Sequence, residues 1–171
     1  MPMEVRFLDL DCYGVVSHAM YPQYFLHARC KAWEALGYPL DALLQTEGLM
    51  MATVEQTIKH MAPLRAEDRF YVQHTCAEAG SSRVVMQDRI VRIPRSLPAG
   101  GNSAHAPVDA TPRVVASARA VLGALCAKEQ RPMRMPAGLR AALLDNKRDF
   151  EEWAAEAGGA AGVPLLLDSE A

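Results

Sequence analysis

An aspartate lies directly before a short turn near the start of the chain, in the segment Asp11-Cys12-Tyr13-Gly14. A carboxylate held in a turn can act as a general base or as a nucleophile, and either role can start the hydrolysis of an activated acyl group. An aspartate close to a glycine is also a common turn residue without any catalytic role. The turn alone therefore makes Asp11 a candidate, and its surroundings must decide between the two interpretations.

The elements on either side of the turn are predicted from local patterns. The apolar segment from Glu4 to Leu10 indicates a strand, on which we expect Asp9 to point to the face opposite Asp11. Apolar side chains then recur every three or four residues from position 21 to position 36, which predicts a long amphipathic helix. Pro22 suits its first turn and Gly37 its C-terminal end.

The rest of the chain predicts a single α+β domain. Expected elements are a weaker helix at 39–48, strands at 50–61, 69–77, 83–93 and 113–126, and a short helix at 136–145. The first three of these strands are expected to form an antiparallel meander, and the alanine content of 113–126 leaves a helix as its alternative. We predict a domain over 1–145 with a mobile Pro/Gly-rich insertion at 95–111, and a helical or flexible tail at 146–171.

Composition excludes several classes of function. The chain has 171 residues, 50% of them hydrophobic, and a net charge of -2, which gives no electrostatic reason to expect a nucleic-acid partner. The four cysteines are scattered without metal-ligand spacing, so we expect neither a metal nor another cofactor. No apolar run reaches the length of roughly 20 residues that spans a bilayer, and no signal peptide is recognisable.

Three sequence blocks identify a resemblance. Residues 11–21, which are DCYGVVSHAMY, resemble the D-x-x-G-V-V-x-H-x-x-Y signature of the 4-hydroxybenzoyl-CoA thioesterase family. The plant-type acyl-lipid thioesterases of that family are similar in two further blocks, EQTIK at 55–59 followed by APLR at 62–65, and RPMRMP at 131–136. Ser17-His18 departs from the plant-type Asn-Asn, and the segment from Arg95 to Thr111 is longer than the family's usual strand connection.

The resemblance implies a fold and an activity. The expected fold is the hotdog fold, in which a curved antiparallel sheet of about five strands wraps a long central helix. The expected activity is hydrolysis of fatty acyl thioesters of acyl carrier protein or coenzyme A, with Asp11 as base or nucleophile. A homodimer or homotetramer is expected, in the cytoplasm, or in the plastid stroma if a transit peptide has been removed. The alternatives are a polyketide-chain thioesterase and a non-catalytic acyl-binding or assembly module.

The resemblance also suggests residues that support Asp11. Gly14 would let the backbone approach the thioester, and amides at 16–18 would polarise its carbonyl with the help of the helix dipole. Other candidates have a structural role as the alternative: His18 can fix the loop, Tyr21 can pack in the core, and Glu55 and Arg65 can be solvated surface residues. In functional roles, Glu55 would support the site across a dimer interface and Arg65 would meet a phosphate of the carrier. The complete set of supporting candidates is Gly14, Val16, Ser17, His18, Tyr21, Glu55 and Arg65.

Overall fold

The computed structural model describes residues 2–94 and 111–145. The helices are 3₁₀ turns at Phe7–Asp9 and His18–Met20, α1 at Tyr21–Ala35, α2 at Leu40–Glu47, and α3 at 137–145. The strands are β1 at Met3–Glu4, β2 at Leu49–His60, β3 at Arg69–Ala79, β4 at Arg83–Ile93 and β5 at Arg113–Cys126. The long helix, the second helix, the four long strands and the last helix are confirmed close to their predicted bounds. The predicted tail and all but the last residue of the predicted insertion lie outside the described residues.

The sheet is antiparallel, with the strand order β1-β3-β4-β5-β2. The predicted meander is therefore wrong for β2, because β2 pairs with β5 at the far edge and the meander consists of β3, β4 and β5. The connection at 61–68 carries the chain from that edge back to β3, and on its way the Leu64 carbonyl accepts a hydrogen bond from the Val16 amide at 2.8 Å. With the long helix against this curved sheet, the hotdog fold is confirmed.

The predicted first strand is wrong beyond Glu4. The chain leaves β1 and forms a 3₁₀ turn at Phe7–Asp9. It turns there because the Asp9 carboxylate accepts hydrogen bonds from the backbone N–H and the side chain of Arg6. Phe7 and Leu8, whose apolar character suggested a strand, are 82% and 89% exposed in the single chain.

Two apolar clusters fill the space between α1 and the sheet. The cluster at the C-terminal half of α1 contains Trp33, with Leu43, Leu49, Cys76, Val84, Met86, Leu122, Leu139 and Leu143 around it. The cluster at the N-terminal half contains Tyr21, Tyr24 and Phe25, with Val5, Val16, Leu64, Phe70, Ile90 and Val115 around them. Four alanines of β5, at 116, 118, 120 and 124, are buried within these two clusters. The segment whose alanine content left a helix as an alternative is thus a strand.

A buried polar layer lies between the two clusters. Asp88 of β4 accepts a hydrogen bond from Nη2 of Arg29 at 2.7 Å, and its other oxygen lies 2.7 Å from Nδ1 of His74, its cross-strand neighbour. Because an ionised carboxylate can only accept, Nδ1 of His74 carries the proton. The side chains of Arg29, Asp88 and His74 are 6%, 0% and 9% exposed. The layer therefore fixes α1 against β3 and β4 by charge-assisted hydrogen bonds that water does not screen.

Removal of the Asp88 carboxylate should destabilise the fold strongly. In Asp88→Ala, the Arg29 guanidinium remains buried without its partner, which typically costs about 3–5 kcal/mol. Urea denaturation should show this as a much lower transition midpoint. Glu34→Ala is the matched control, since it breaks the exposed ion pair with Lys31 on the same helix and should leave the midpoint almost unchanged. Equal losses in both variants would contradict a stabilising role for the buried layer.

Candidate active site

The segment around Asp11 is a small hairpin. Leu10 and Val16 form an antiparallel bridge, and the Asp11 amide donates to the Val15 carbonyl at 2.8 Å. The tip is a β-turn in which the Asp11 carbonyl accepts a hydrogen bond from the Gly14 amide at 3.1 Å. Gly14 has a φ of +70°, in the left-handed region that favours glycine. The turn predicted from the sequence is thus present, and Gly14 provides its backbone conformation.

Asp11 has one oxygen that holds the turn and one that does not. Its Oδ1 accepts hydrogen bonds from the amides of Tyr13 at 2.8 Å and Val15 at 3.5 Å. Among the residues that the structure describes, none donates a hydrogen bond to Oδ2. The side chain is half-buried. Asp11 is therefore a turn residue, as the structural interpretation expects, and it also keeps a carboxylate oxygen for the substrate.

Asp9 is a buried carboxylate at the base of the hairpin, on a 3₁₀ turn and not on the predicted strand. It is 1% exposed and accepts hydrogen bonds from the Tyr24 hydroxyl at 2.7 Å and from Nη2 of Arg6 at 2.8 Å. Its carbonyl accepts the Ser17 amide at 2.9 Å. Arg6 three residues before an aspartate is the sequence signal that could have indicated the local bonds, whereas nothing local predicts the partner on α1.

The charges around Asp9 explain how it stays ionised. Burial acts to raise the pKa of the Asp9 carboxyl, but the hydrogen bonds from Arg6 and Tyr24 together outweigh it and hold that pKa below its ordinary value. Burial, as the largest cause, and the hydrogen bond to Asp9 raise the pKa of the Tyr24 phenol well above its ordinary value. Tyr24 therefore stays protonated and donates its hydrogen bond to an ionised Asp9.

The APLR block lies against the hairpin. Arg65 forms an isolated bridge with Val15, next to the hydrogen bond between Val16 and Leu64. Asp68 is buried and accepts the Arg65 amide at 2.8 Å, which holds the end of the block in place. The Arg65 side chain is exposed. Two blocks that are more than 40 residues apart in the sequence thus lie side by side in the fold.

The amides proposed as oxyanion donors differ in their availability. The Val16 amide donates to Leu64, and the Ser17 amide donates to Asp9. For the His18 amide, the described part of the chain offers no hydrogen-bond acceptor in this structure. His18 begins the 3₁₀ turn that leads directly into α1, and its side chain is exposed. Of the three amides, the one at His18 is therefore best placed to meet a substrate.

Tyr21 packs in the core, as its structural interpretation predicts. It is 3% exposed, and its ring makes an edge contact with the ring of His60, with 4.5 Å between centroids. Burial, as the largest cause, raises the pKa of the Tyr21 phenol. His60 was not among the sequence candidates, because it ends a strand with no motif of its own. The structure places its exposed ring beside the start of α1.

Glu55 is not brought to Asp11 within one chain. It lies on the exposed face of β2, where its carboxylate is 3.7 Å from the Arg119 guanidinium. The β2–β5 pairing shifts register between Thr53 and Glu55, which is the mark of a β-bulge. A role for Glu55 at the site therefore requires a second copy of the chain.

Three further features of the described residues concern cavities, membrane-spanning helices and metal-binding groups. Cavities of about 520 and 460 Å³ lie beside α1 and α2, and no residue of the Asp11 hairpin lines either of them. No helix in 2–94 or 111–145 has the length and apolar character required to cross a membrane. In the same ranges, no three His, Cys, Asp or Glu side chains form a group that could hold a metal ion.

Comparison with known proteins identifies the family. A family model described as the thioesterase-like superfamily matches residues 5–143. The chain belongs to this superfamily. That range includes the hairpin, α1, the APLR block and all four long strands.

Individual relatives are more distant. A chloroplastic acyl-acyl carrier protein thioesterase of Arabidopsis thaliana is 31% identical over 96 residues, which are 56% of this chain and 50% of that protein. The acyl-CoA thioesterase YbgC of Haemophilus influenzae is 25% identical over 91 residues, 53% of this chain and 67% of that protein. The match thus spans only half the length of the plant relative.

A solved structure agrees in fold. The 1,4-dihydroxy-2-naphthoyl-CoA thioesterase of Synechocystis superposes with a TM-score of 0.68 at 19% identity, covering 85% of this chain and 94% of that one. At this identity, the similarity supports the shared fold and nothing finer.

Substitution of Gly14 should measure the strain in the hairpin. A Cβ at Gly14 would meet no atom within 4 Å, so Gly14→Ala changes only the backbone preference at a φ of +70°. We expect a loss of about 1–2 kcal/mol in the free energy of unfolding. Gly80→Ala, in the β3–β4 turn where φ is not positive, is the control and should stay within about 0.5 kcal/mol. Equal stability of Gly14→Ala and the wild type would show that the hairpin relaxes to another conformation.

Proposed function

We propose that the protein is a thioesterase that hydrolyses fatty acyl thioesters at Asp11. The observation that carries the proposal is the geometry of the Asp11 carboxylate, which is held through Oδ1 by its own turn and keeps Oδ2 without a partner among the described residues. Oδ2 is thus available to a substrate, on a hairpin that leads through one 3₁₀ turn into the 15-residue helix α1. Membership of the thioesterase-like superfamily supports the same activity.

The chemistry needs a group that begins the attack and a donor for the oxyanion that forms. Oδ2 of Asp11 can remove a proton from water or attack the thioester carbon directly, and the residues present are compatible with both routes. The His18 amide, at the start of the helical segment, can donate to the carbonyl oxygen, where the helix dipole favours negative charge. In the first route, the hydroxide attacks the thioester carbon, the C–S bond breaks, and the leaving thiolate takes up the proton held by Asp11. In the second route, the thiolate leaves as the acyl group bonds to Asp11, and water then hydrolyses this anhydride to the carboxylic acid and free Asp11.

The carrier is proposed to be acyl carrier protein or coenzyme A. The plant relative is named for the first and the bacterial relative for the second. Both carriers attach the acyl group through a phosphopantetheine arm, so both offer a phosphate to a cation at the border of the site. Arg65 is exposed, and its backbone is bridged to the hairpin, which suits that contact. A polyketide-chain substrate would use the same arrangement with a different acyl pocket.

A second copy of the chain is proposed to complete the site. Within the described residues, the outer edge of β2 has no strand partner, although the strand is 12 residues long. A long unpaired edge is a template for pairing with another chain. Pairing there would cover the exposed Val54, and would bring Glu55 to a subunit boundary. Neither cavity described above is lined by the hairpin of Asp11. A subunit boundary at β2 can supply the acyl pocket instead.

A panel of thioesters tests the activity. Acyl-ACP and acyl-CoA substrates of graded chain length should release free thiol with wild-type protein, and Asp11→Asn should reduce kcat by roughly a hundredfold or more, the scale of a general acid–base contribution. Asparagine keeps an oxygen for the Tyr13 amide, so the turn is retained while the reactive carboxylate is lost.

Asp41→Asn is the matched control, since it removes an exposed carboxylate from α2 and should leave turnover unchanged. Thiol release by folded Asp11→Asn at the wild-type rate would remove Asp11 from the mechanism. Absence of turnover in the wild type with every thioester would favour the non-catalytic acyl-binding alternative.

The assembly has its own test. Light scattering should give at least twice the chain mass of 18.7 kDa. Val54→Lys, which places a charge on the exposed bulge of β2, should weaken the association by about tenfold or more, whereas Leu26→Lys on the outward face of α1 should not. A fully active monomer would contradict the shared site.

A further inference from the structure

We infer that Asp9 is a positioning residue, which fixes the hairpin of Asp11 to the first turns of α1 through Tyr24 and Ser17. The inference rests on the proposed function, because it concerns the placement of the group that acts on the thioester. It adds a role for a buried carboxylate that the catalytic scheme does not itself use.

The side chain of Asp9 connects two elements. Its Oδ2 accepts a hydrogen bond from the Tyr24 hydroxyl at 2.7 Å inside the protein. Its Oδ1 accepts one from Nη2 of Arg6 at 2.8 Å towards the surface. Asp9 is 1% exposed, whereas the Arg6 side chain is 70% exposed, so the guanidinium covers the carboxylate from outside. Hydrogen bonds to an ionised acceptor are stronger than neutral ones, and the one from Tyr24 is shielded from water.

The backbone of Asp9 closes the hairpin. Its carbonyl accepts the Ser17 amide at 2.9 Å, directly below the bridge between Leu10 and Val16. Asp11 lies two residues after Asp9, and α1 begins four residues after Ser17. Both ends of the hairpin and the helix therefore meet at one residue, and the position of Asp11 relative to the helix start depends on it.

The tip of the hairpin needs such an anchor. Cys12, Tyr13 and Gly14 are exposed, and Gly14 provides no side chain that could pack. The reacting carbonyl must lie between Oδ2 of Asp11 and donors at the start of the helix, and a misplacement of about 1 Å can cost up to a hundredfold in rate. A hairpin that moved freely relative to α1 would lose that alignment.

Tyr24→Phe is the variant that isolates the connection. The Tyr24 ring contacts Phe70, with 4.8 Å between centroids, and Tyr21 at 6.3 Å, and phenylalanine keeps both contacts. Asp9 keeps its hydrogen bonds with Arg6, so only the tie to the helix is lost. Tyr71→Phe is the matched control, because Tyr71 is a half-buried tyrosine of β3 whose pKa is raised by burial alone.

A double-mutant cycle with Asp11→Asn tests whether Asp9 acts through Asp11. In the wild-type background, we expect Tyr24→Phe to lower kcat by about tenfold with KM within about twofold, and Tyr71→Phe to change neither. In the Asp11→Asn background, Tyr24→Phe should change kcat by less than about twofold, because the Asp11 carboxylate that the Tyr24–Asp9 hydrogen bond positions is already absent. An unchanged kcat in the first background, or equal losses in both backgrounds, would overturn the inference while leaving the proposed function intact.

Amide hydrogen exchange provides a measurement that needs no turnover. Tyr24→Phe should accelerate exchange of the Ser17 and Asp11 amides by tenfold or more, while amides in the β4–β5 ladder stay unchanged. Unchanged exchange at Ser17 and Asp11 would refute the anchor directly. If the wild type hydrolyses no thioester, the proposed function fails, and this measurement still decides whether Asp9 fixes the hairpin.

Discussion

The carboxylate of Asp88 determines how the long helix lies on the sheet. It accepts a hydrogen bond from Arg29 of α1 on one side and lies 2.7 Å from the proton-bearing Nδ1 of its strand neighbour His74 on the other. Withdrawing charged groups from water costs several kcal/mol for each ion, and that cost is offset only where the geometry of the contacts is good. A shift of α1 along the sheet would separate Arg29 from Asp88 and leave the buried guanidinium without this partner. The buried layer therefore selects one position of the helix, and the apolar clusters on either side fill the space around it.

The position of α1 determines where the residues around the candidate site lie. With α1 fixed at its middle, Tyr24 in its first turns is placed where its hydroxyl reaches Asp9, and Tyr21 is buried against His60. The hairpin is held from its other side by the hydrogen bond between the Val16 amide and the Leu64 carbonyl. The position of Asp11 thus depends on these contacts as well as on the hydrogen bonds that its own Oδ1 accepts within the turn. In physical terms, the catalytic proposal depends on a chain of buried hydrogen bonds that runs from β4 through α1 to the hairpin.

Local sequence patterns predicted the helices and strands well, but they predicted the pairing of the strands and the partners of buried side chains less well. The three- and four-residue spacing at 21–36 and the alternation at 69–77 are properties of single segments, and both elements were confirmed. The partner of β2 depends on where the 61–68 connection travels, which no local pattern contains. Asp9 was misplaced because the predicted strand was extended through residues 7–9, which instead form a 3₁₀ turn around the Asp9 carboxylate. Asp11 and the APLR block were found through a motif, whereas the Tyr24 hydroxyl carries no signal of its own in an apolar helix face.

The central claim is that the thioester lies between Asp11 and the start of α1. It is tested most directly by a crystal structure of Asp11→Asn protein with a bound acyl-CoA thioester. We expect a thioester carbonyl within about 3–3.5 Å of the residue 11 side chain, with its oxygen towards the His18 amide. An acyl group bound instead in the cavity of about 520 Å³ beside α1, far from residue 11, would contradict it.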